Sequence, residues 1–171
     1  MNAVTSAGLL AASKNPMAQR ESRHSYSISL EQGEITNQKQ SGRCWMFAAL
    51  NTFRFEVMKN LNLKTFELSQ NYTLFYDKLE KSNYFLESIL ETLDEPTQGR
   101  LISFLLSAPL GDGGQWDMLC NLVRKYGVVP KEAMPETVAS SATREMTAAL
   151  TRKLREDACR LRKAYADGST L

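Results

Sequence analysis

The sequence predicts a mainly α-helical fold, and three observations support that prediction. Apolar residues recur every three or four positions through several long segments, which is the pattern of an amphipathic helix. Only two short stretches, near Tyr26 and Val128, have the character of β-strands. With 171 residues, of which 43% are hydrophobic and 23% charged, the chain has the size and composition of a globular domain that can bury a core.

The beginning of the chain is polar and mixed in character. We therefore predict an amino-terminal arm, residues 1–36, in front of a main domain, residues 37–171. Within the arm, a period of two at Tyr26, Ile28 and Leu30 favours a short strand or an extended segment.

The main domain is predicted to consist of helices joined by short loops. A first helix should run from Cys44 to near Asn60. A second should begin after Ser69, whose hydroxyl can accept hydrogen bonds from the first free amides, and should end before Pro96. The glycine-rich residues 111–114 predict a turn. Further helices are predicted at residues 101–106, 116–126 and 146–165.

Charge and hydropathy argue against several classes of protein. The formal net charge of +2 makes no whole-chain case for binding nucleic acid or an anionic membrane. The longest apolar stretch, Leu101 to Leu110, is interrupted by serine and proline and is too short for a bilayer helix. The apolar patch from Ala7 to Ala12 has no basic residue before it, which argues against a secretory signal.

The cysteine and histidine content argues against a secreted or metal-binding protein. The chain has three cysteines without a C-x-x-C pair, an odd number that does not fit a disulfide framework. Its only histidine is His24, so few zinc ligands are available. We expect a cytoplasmic protein in a reducing compartment that needs no metal and no cofactor.

The segment from Gln38 to Asn51 has the pattern of a nucleophilic site. It places Cys44 in the first turn of an apolar helix, where free amides and the helix dipole should stabilise a thiolate and lower its pKa. A thiolate is the nucleophilic form of cysteine. Gln38 lies six residues upstream on a loop that contains Gly42 and can fold back. Its side-chain amide could join the Cys44 backbone amide in holding an oxyanion.

This segment resembles the active-site signature of papain-like cysteine peptidases. More narrowly, residues 37–54 resemble the bleomycin hydrolase and aminopeptidase C family. The resemblance covers most of the chain, from Asn2 onward. Further motifs follow in the same order as in that family: Asn71-Tyr72, Asp77 to Glu80, Gly111 to Met118, Tyr126 to Pro130, and Lys153 to Glu156.

The resemblance implies a cytoplasmic thiol aminopeptidase that acts on peptides and assembles as a homo-hexamer. It implies that Cys44 is the nucleophile and that Gln38 completes the oxyanion hole. Gly113 and Gly114 would line the substrate groove, where a peptide can lie against bare main chain. The fold it implies is the helical (left) lobe of the papain-like fold, with the β lobe missing from this chain.

The chain also departs from the family pattern. Family members are much longer, and their catalytic His and Asn lie in the carboxy-terminal part, whereas this sequence ends at Leu171. His24 precedes the nucleophile and does not match the family's histidine. Because a positioned base contributes roughly 10²–10⁴ in rate, we expect this chain alone to be weakly active or inactive. The alternative is a non-catalytic fragment that associates with a full-length relative.

Some residues also have simpler interpretations. Cys44 could be a small buried hydrophobic residue, Gln38 a solvated loop residue, and the two glycines could serve only their turn. Cys120 is expected in the core, and Cys159 as a bystander. From 144 to 163 there are seven basic and three acidic residues, which suggests either a nucleic-acid site or, as we favour, a solvated helix face with pairs such as Arg152 with Glu156.

Overall fold

The computed structural model describes residues 2–21, 25–28 and 33–169. The chain divides into two compact units, Met1–Glu31 and Gln32–Leu171. The smaller unit contains the short helices α1 (Asn2–Ala7), α2 (Leu9–Ala12) and α3 (Pro16–Glu21). The larger unit contains α4 (Cys44–Asn60), α5 (Gln70–Glu91), α6 (Arg100–Ser107), α7 (Trp116–Tyr126), a 3-10 turn (Lys131–Ala133), α8 (Val138–Ser141) and α9 (Arg144–Ala166).

Helix α5 is the central element of the larger unit and packs against α4, α6, α7 and α9. Its two halves contribute to two buried clusters. One lies between α5 and α9 and contains Phe85, Ile89, Leu110, Leu154 and Ala158. The other lies where α4, α5 and α7 meet and contains Met46, Ala49, Leu74 and Leu119. This second cluster supports the first turn of α4, where Cys44 lies.

Two predicted helix ends are confirmed in atomic detail. The Ser69 hydroxyl accepts a hydrogen bond of 3.0 Å from the Tyr72 amide and so caps α5. It also donates to the Met134 carbonyl at 2.5 Å, which ties the start of α5 to a later loop. Helix α7 ends at Tyr126 and is followed by the C-cap residue Gly127, whose φ of 74° is readily available only to glycine. The long predicted helices, α4 to α7 and α9, are all present.

The strand predicted near Val128 and the strand alternative for the segment near Tyr26 are wrong for the residues that the structure describes. Tyr26 and Ile28 are exposed and are not in a strand, while Leu30 lies outside the described residues. Near Val128, only an isolated antiparallel bridge forms between Leu68 and Pro130. The physical reason is that a strand needs partner strands, and an alternating pattern supplies none.

The sequence pattern also missed the shortest helices. Helices α1, α2, α3 and α8 have four to six residues each, which is too short for a period of 3.6 to repeat. Within the described ranges, no helix is both long and apolar enough to cross a bilayer.

Candidate active site

The first turn of α4 presents the Cys44 side chain to solvent. Cys44 is the first residue of the helix and is exposed, so the alternative of a buried small hydrophobic residue is wrong. The residue before it, Arg43, makes no side-chain capping hydrogen bond. The first turn of α4, which carries the thiol, therefore has no capping side chain from the N-cap residue on its free amides.

Arg43 holds the first turn of α4 in place through its side chain. Its side chain is fully buried and donates a bidentate pair of hydrogen bonds, 2.8 and 2.9 Å, to Glu136. Its Nε donates to the Ser41 hydroxyl at 2.9 Å. Burial raises the pKa of Glu136, but the hydrogen bonds from Arg43 and Ser140 outweigh it, so that the pKa lies below its ordinary value. The start of α4 is thereby held by the buried Arg43 guanidinium and its partly buried counter-charge, Glu136.

The loop of residues 38–43, called the nucleophile loop below, closes on itself. The Gln38 side-chain amide donates to the Ser41 carbonyl at 2.8 Å. In return, the Ser41 hydroxyl donates to the Gln38 carbonyl at 2.6 Å. Lys39 between them has a φ of 56°, the left-handed conformation that makes the sharp turn. Gln38 is half-buried and held, rather than a freely solvated loop residue.

The residues 111–114, called the glycine turn below, contact the start of α4. A Cβ atom on Gly114 would lie 2.5 Å from the Trp45 indole, so this position must be glycine for Trp45 to lie there. A Cβ atom on Gly113 would meet no atom within 4 Å, and Gly113 is exposed. The Trp45 Nε1 donates to the Asp112 carbonyl at 2.9 Å. The structure thus brings Gly114, one of the two predicted glycines, next to Trp45, the neighbour of Cys44.

Lys81 on α5 holds the glycine turn from its other side. Its ammonium donates to the carbonyls of Gly111 at 3.1 Å and Gly113 at 2.7 Å, and it pairs with Asp77 at 2.9 Å. It also lies 5.6 Å from the centre of the Trp45 ring. Burial, the largest effect, lowers the pKa of Lys81 and raises the pKa of Asp77. Lys81 is not among the residues predicted from the sequence, although its spacing from Asp77 is that of a helical ion pair.

Asp112 was also missed, and it connects the glycine turn with the nucleophile loop. Its Oδ2 accepts hydrogen bonds from the Gly42 amide at 3.0 Å and from the Thr143 hydroxyl. Its Oδ1 accepts from the Lys78 ammonium at 2.6 Å and from the Thr147 hydroxyl at 3.3 Å. Burial raises the pKa of this carboxyl, but these hydrogen bonds outweigh burial and hold the pKa well below its ordinary value.

An open cavity of about 650 Å³ lies beside Asp112, between the nucleophile loop and α9. Its lining includes Gln40 and the basic side chains Arg144, Arg152 and Arg155. Arg155 donates to the Leu106 and Ser107 carbonyls and so fixes α9 against the end of α6.

The other residues considered from the sequence lie away from this site or cannot be placed. Cys120 is only partly buried, so the expectation of a core position is wrong, and Cys159 is exposed on α9. Glu156 pairs with Arg160 and Lys153 rather than with Arg152, so that predicted pair is wrong. His24 lies outside the described residues. Among the described residues, no three His, Cys, Asp or Glu side chains cluster as metal ligands.

Comparison with known families decides what kind of chain carries this site. A sequence model of the Peptidase C1-like family matches residues 1–171. The chain belongs to the Peptidase C1-like family. The resemblance drawn from residues 37–54 is thereby confirmed.

Two relatives show which branch of the Peptidase C1-like family this is. The chain is 53% identical to an aminopeptidase C of Listeria monocytogenes over 160 residues, which are 94% of this chain and 36% of that protein. It is 48% identical to the human bleomycin hydrolase over 147 residues, which are 85% of this chain and 32% of that protein. The chain therefore spans about a third of the length of these relatives.

A solved structure confirms the mainly α fold of this Peptidase C1-like chain. The crystal structure of PepW from Lactobacillus rhamnosis HN001 superposes with a TM-score of 0.89 at 51% identity. The match covers 99% of this chain and 38% of the PepW chain.

Proposed function

We propose that this chain carries the nucleophile of a cysteine aminopeptidase, with Cys44 as the attacking group. The observation that carries the proposal is the exposed Cys44 thiol at the first residue of α4, beside the free amides of the helix N-terminus, which can stabilise negative charge. The family membership and the similarity to an aminopeptidase C support a peptide substrate.

The proposed reaction proceeds through an acyl-enzyme. The Cys44 thiolate forms a bond to the carbonyl carbon of the first peptide bond, and the carbonyl oxygen becomes an oxyanion. The C–N bond then breaks, and the leaving amine takes a proton from a general acid. Water then gives a proton to that deprotonated group, which now acts as a general base, and attacks the thioester carbonyl carbon. The C–S bond breaks, which releases the amino-terminal amino acid and restores the thiolate.

Gln38 and the Cys44 backbone amide are the proposed oxyanion donors. One hydrogen of the Gln38 amide nitrogen is used in the bond to Ser41, which fixes the direction of the side chain. A primary amide has a second hydrogen, and we assign it to the oxyanion. Donors that are held in place before the reaction need no reorganisation when charge develops.

The two glycines have different proposed roles. Gly113 is exposed with open space over its α carbon, so a peptide backbone can lie against it. The Trp45 ring fills the space in which a Gly114 side chain would lie. The proposed role of Gly114 is therefore to let the indole pack against the glycine turn. We therefore assign substrate contact chiefly to Gly113.

The remaining requirements concern the whole protein. We propose that the general base and the amide that orients it come from another segment, since the match covers only 36% of the aminopeptidase C relative. We further propose a homo-hexameric, cytoplasmic peptidase that needs no metal or cofactor. The exposed side chains of Tyr84, Phe104 and Trp116 favour the alternative that the chain by itself associates with a longer relative.

A chimera tests the proposed function. This chain replaces the matching residues of the Listeria aminopeptidase C, and hydrolysis of an aminoacyl-coumarin amide is followed by fluorescence. We expect hydrolysis by the chimera and none by its Cys44→Ser variant. A chimera with the parent's size and thermal unfolding, but without hydrolysis, contradicts the proposal.

A further inference from the structure

The two loops that flank the proposed nucleophile are joined through one residue of the glycine turn. The Asp112 side chain accepts a hydrogen bond from the Gly42 amide, and Gly42 lies two residues before Cys44. The backbone carbonyl of Asp112 accepts a hydrogen bond from the Trp45 Nε1, and Trp45 directly follows Cys44. Cys44 is therefore bracketed on both sides by hydrogen bonds to Asp112.

The side chain of Asp112 is itself fixed from two helices. Lys78 on α5 supplies a charged donor to Oδ1, and its side chain is only 7% exposed. Thr143 and Thr147, at the start of α9, donate to the two carboxylate oxygens. A carboxylate held by donors from two separate helices has little freedom to move, so the groups that it binds are held too.

The chemistry of the donors requires a carboxylate at this position. Every group that faces the Asp112 side chain in these bonds is a donor, and one of them, Lys78, is a buried cation. An amide side chain offers a single acceptor oxygen and would turn its own N–H groups toward donors. It would also leave the Lys78 ammonium without the carboxylate to which it is directly hydrogen-bonded.

We propose that Asp112 is a positioning residue for the peptidase reaction, which clamps the nucleophile loop to the glycine turn and so fixes Cys44 relative to the substrate groove. This inference rests on the proposed role of Cys44. It assigns Asp112 no contact with substrate. Asp112 acts through the Gly42 amide and the Trp45 indole. Replacing its carboxylate changes the reactivity of Cys44 while the helical core remains.

The test compares Asp112→Asn, Asp112→Glu and the control Asp117→Asn in the chain as it stands. Asp117 is an exposed aspartate in the first turn of α7. Alkylation of each cysteine by iodoacetamide is measured by peptide mass spectrometry between pH 6 and pH 10, with the exposed Cys159 as an internal reference. Hydrogen exchange of the peptides that contain residues 38–45 and 110–116 is measured in parallel.

We expect Asp112→Asn to slow Cys44 alkylation at pH 6 roughly tenfold, a modest part of the range over which local environment changes thiol reactivity. The difference should vanish at pH 10, where every thiol is ionised, and Cys159 should not change. Amide exchange should accelerate in both loops. Asp112→Glu keeps the charge beside Lys78 but not the geometry, so it should restore thermal stability more fully than Cys44 reactivity.

Other outcomes would contradict either the assignment of Cys44 as the nucleophile or the positioning role of Asp112. If Cys44 of the parent chain reacts no faster than Cys159 at pH 6, the proposed nucleophile is wrong. Hydrogen exchange of the two loops then decides by itself whether Asp112 holds them together. If Cys44 is reactive and Asp112→Asn leaves it unchanged or accelerates it at every pH, the positioning role is wrong. If Asp112→Asn does not fold, Thr143→Val, which removes a single donor, must still slow Cys44 and loosen both loops.

Discussion

The glycine turn provides a matched pair of substitutions with opposite expected effects. A methyl group on Gly114 would lie 2.5 Å from two ring carbons of Trp45 and 2.7 Å from a third. The indole cannot move freely, because its Nε1 donates to the Asp112 carbonyl at 2.9 Å and Lys81 lies over its face. A methyl group on Gly113 would meet nothing within 4 Å.

The size of the two effects follows from these distances. Overpacking of this kind costs about 1–3 kcal/mol of unfolding free energy, so Gly114→Ala should lower the melting temperature by about 2–12 °C in a chain of this length. The φ of Gly113 is not in the left-handed region. Gly113→Ala should therefore leave stability unchanged or raise it by about 0.4–1 kcal/mol, because alanine restricts the unfolded chain.

Thermal unfolding of both variants, followed by circular dichroism and by tryptophan fluorescence, checks this pair. Equal melting temperatures, or a lower one for Gly113→Ala, would refute the packing argument. In the active chimera, Gly113→Ala should be the more harmful of the two substitutions for substrate affinity, although it is the less harmful for stability. Gly113→Ala should raise KM, because the added methyl group lies where the peptide backbone is proposed to lie.

Further substitutions and a change of pH test the supports of the site. Arg43→Met should destabilise the chain by about 3 kcal/mol in urea unfolding, because it leaves the partly buried Glu136 without its cation; a loss below about 1 kcal/mol would contradict the anchoring role. Ser69→Ala should cost about 1–2 kcal/mol through the lost cap of α5 and the lost bond to a later loop, whereas Ser103→Ala on the exposed face of α6 should cost little. Acid should remove the contribution of two carboxylates to stability. The pKa values of Asp112 and Glu136 are lowered by folding, so their contribution is present above about pH 4 and is lost as the pH falls through the folded values. Asp112→Asn should lose less stability than the parent between pH 5 and pH 2, and equal losses would contradict this assignment.

The parts of the fold that sequence predicts well are those with a repeating local signal. Helices such as α5 and α9 span six turns or so, and each turn repeats the same apolar position. The cap at Ser69 and the stop at Gly127 are local chemistry and were equally readable. Short helices such as α8 and the isolated bridges lack such repetition, since they are set by what packs against them.

The candidate site divides in the same way. Cys44 and Gln38 lie within seven consecutive residues, so their motif is visible in the sequence, as is the glycine pair. The bond from Gly42 to Asp112 joins residues 70 positions apart, and no local pattern indicates it. The same applies to Arg43 with Glu136, which are 93 positions apart. Long-range polar pairs depend on how the helices cross, and only the folded chain reveals that.

The most direct test of the central claim is the relative reactivity of the three thiols in the unmodified chain. A brief, limiting dose of iodoacetamide at pH 6 is followed by mass spectrometry of the peptides that contain Cys44, Cys120 and Cys159. Because Cys44 and Cys159 are both exposed, a difference between them reports thiolate character rather than access. We expect Cys44 to be labelled well before Cys159. Equal labelling of these two cysteines would contradict the claim that the first turn of α4 activates Cys44.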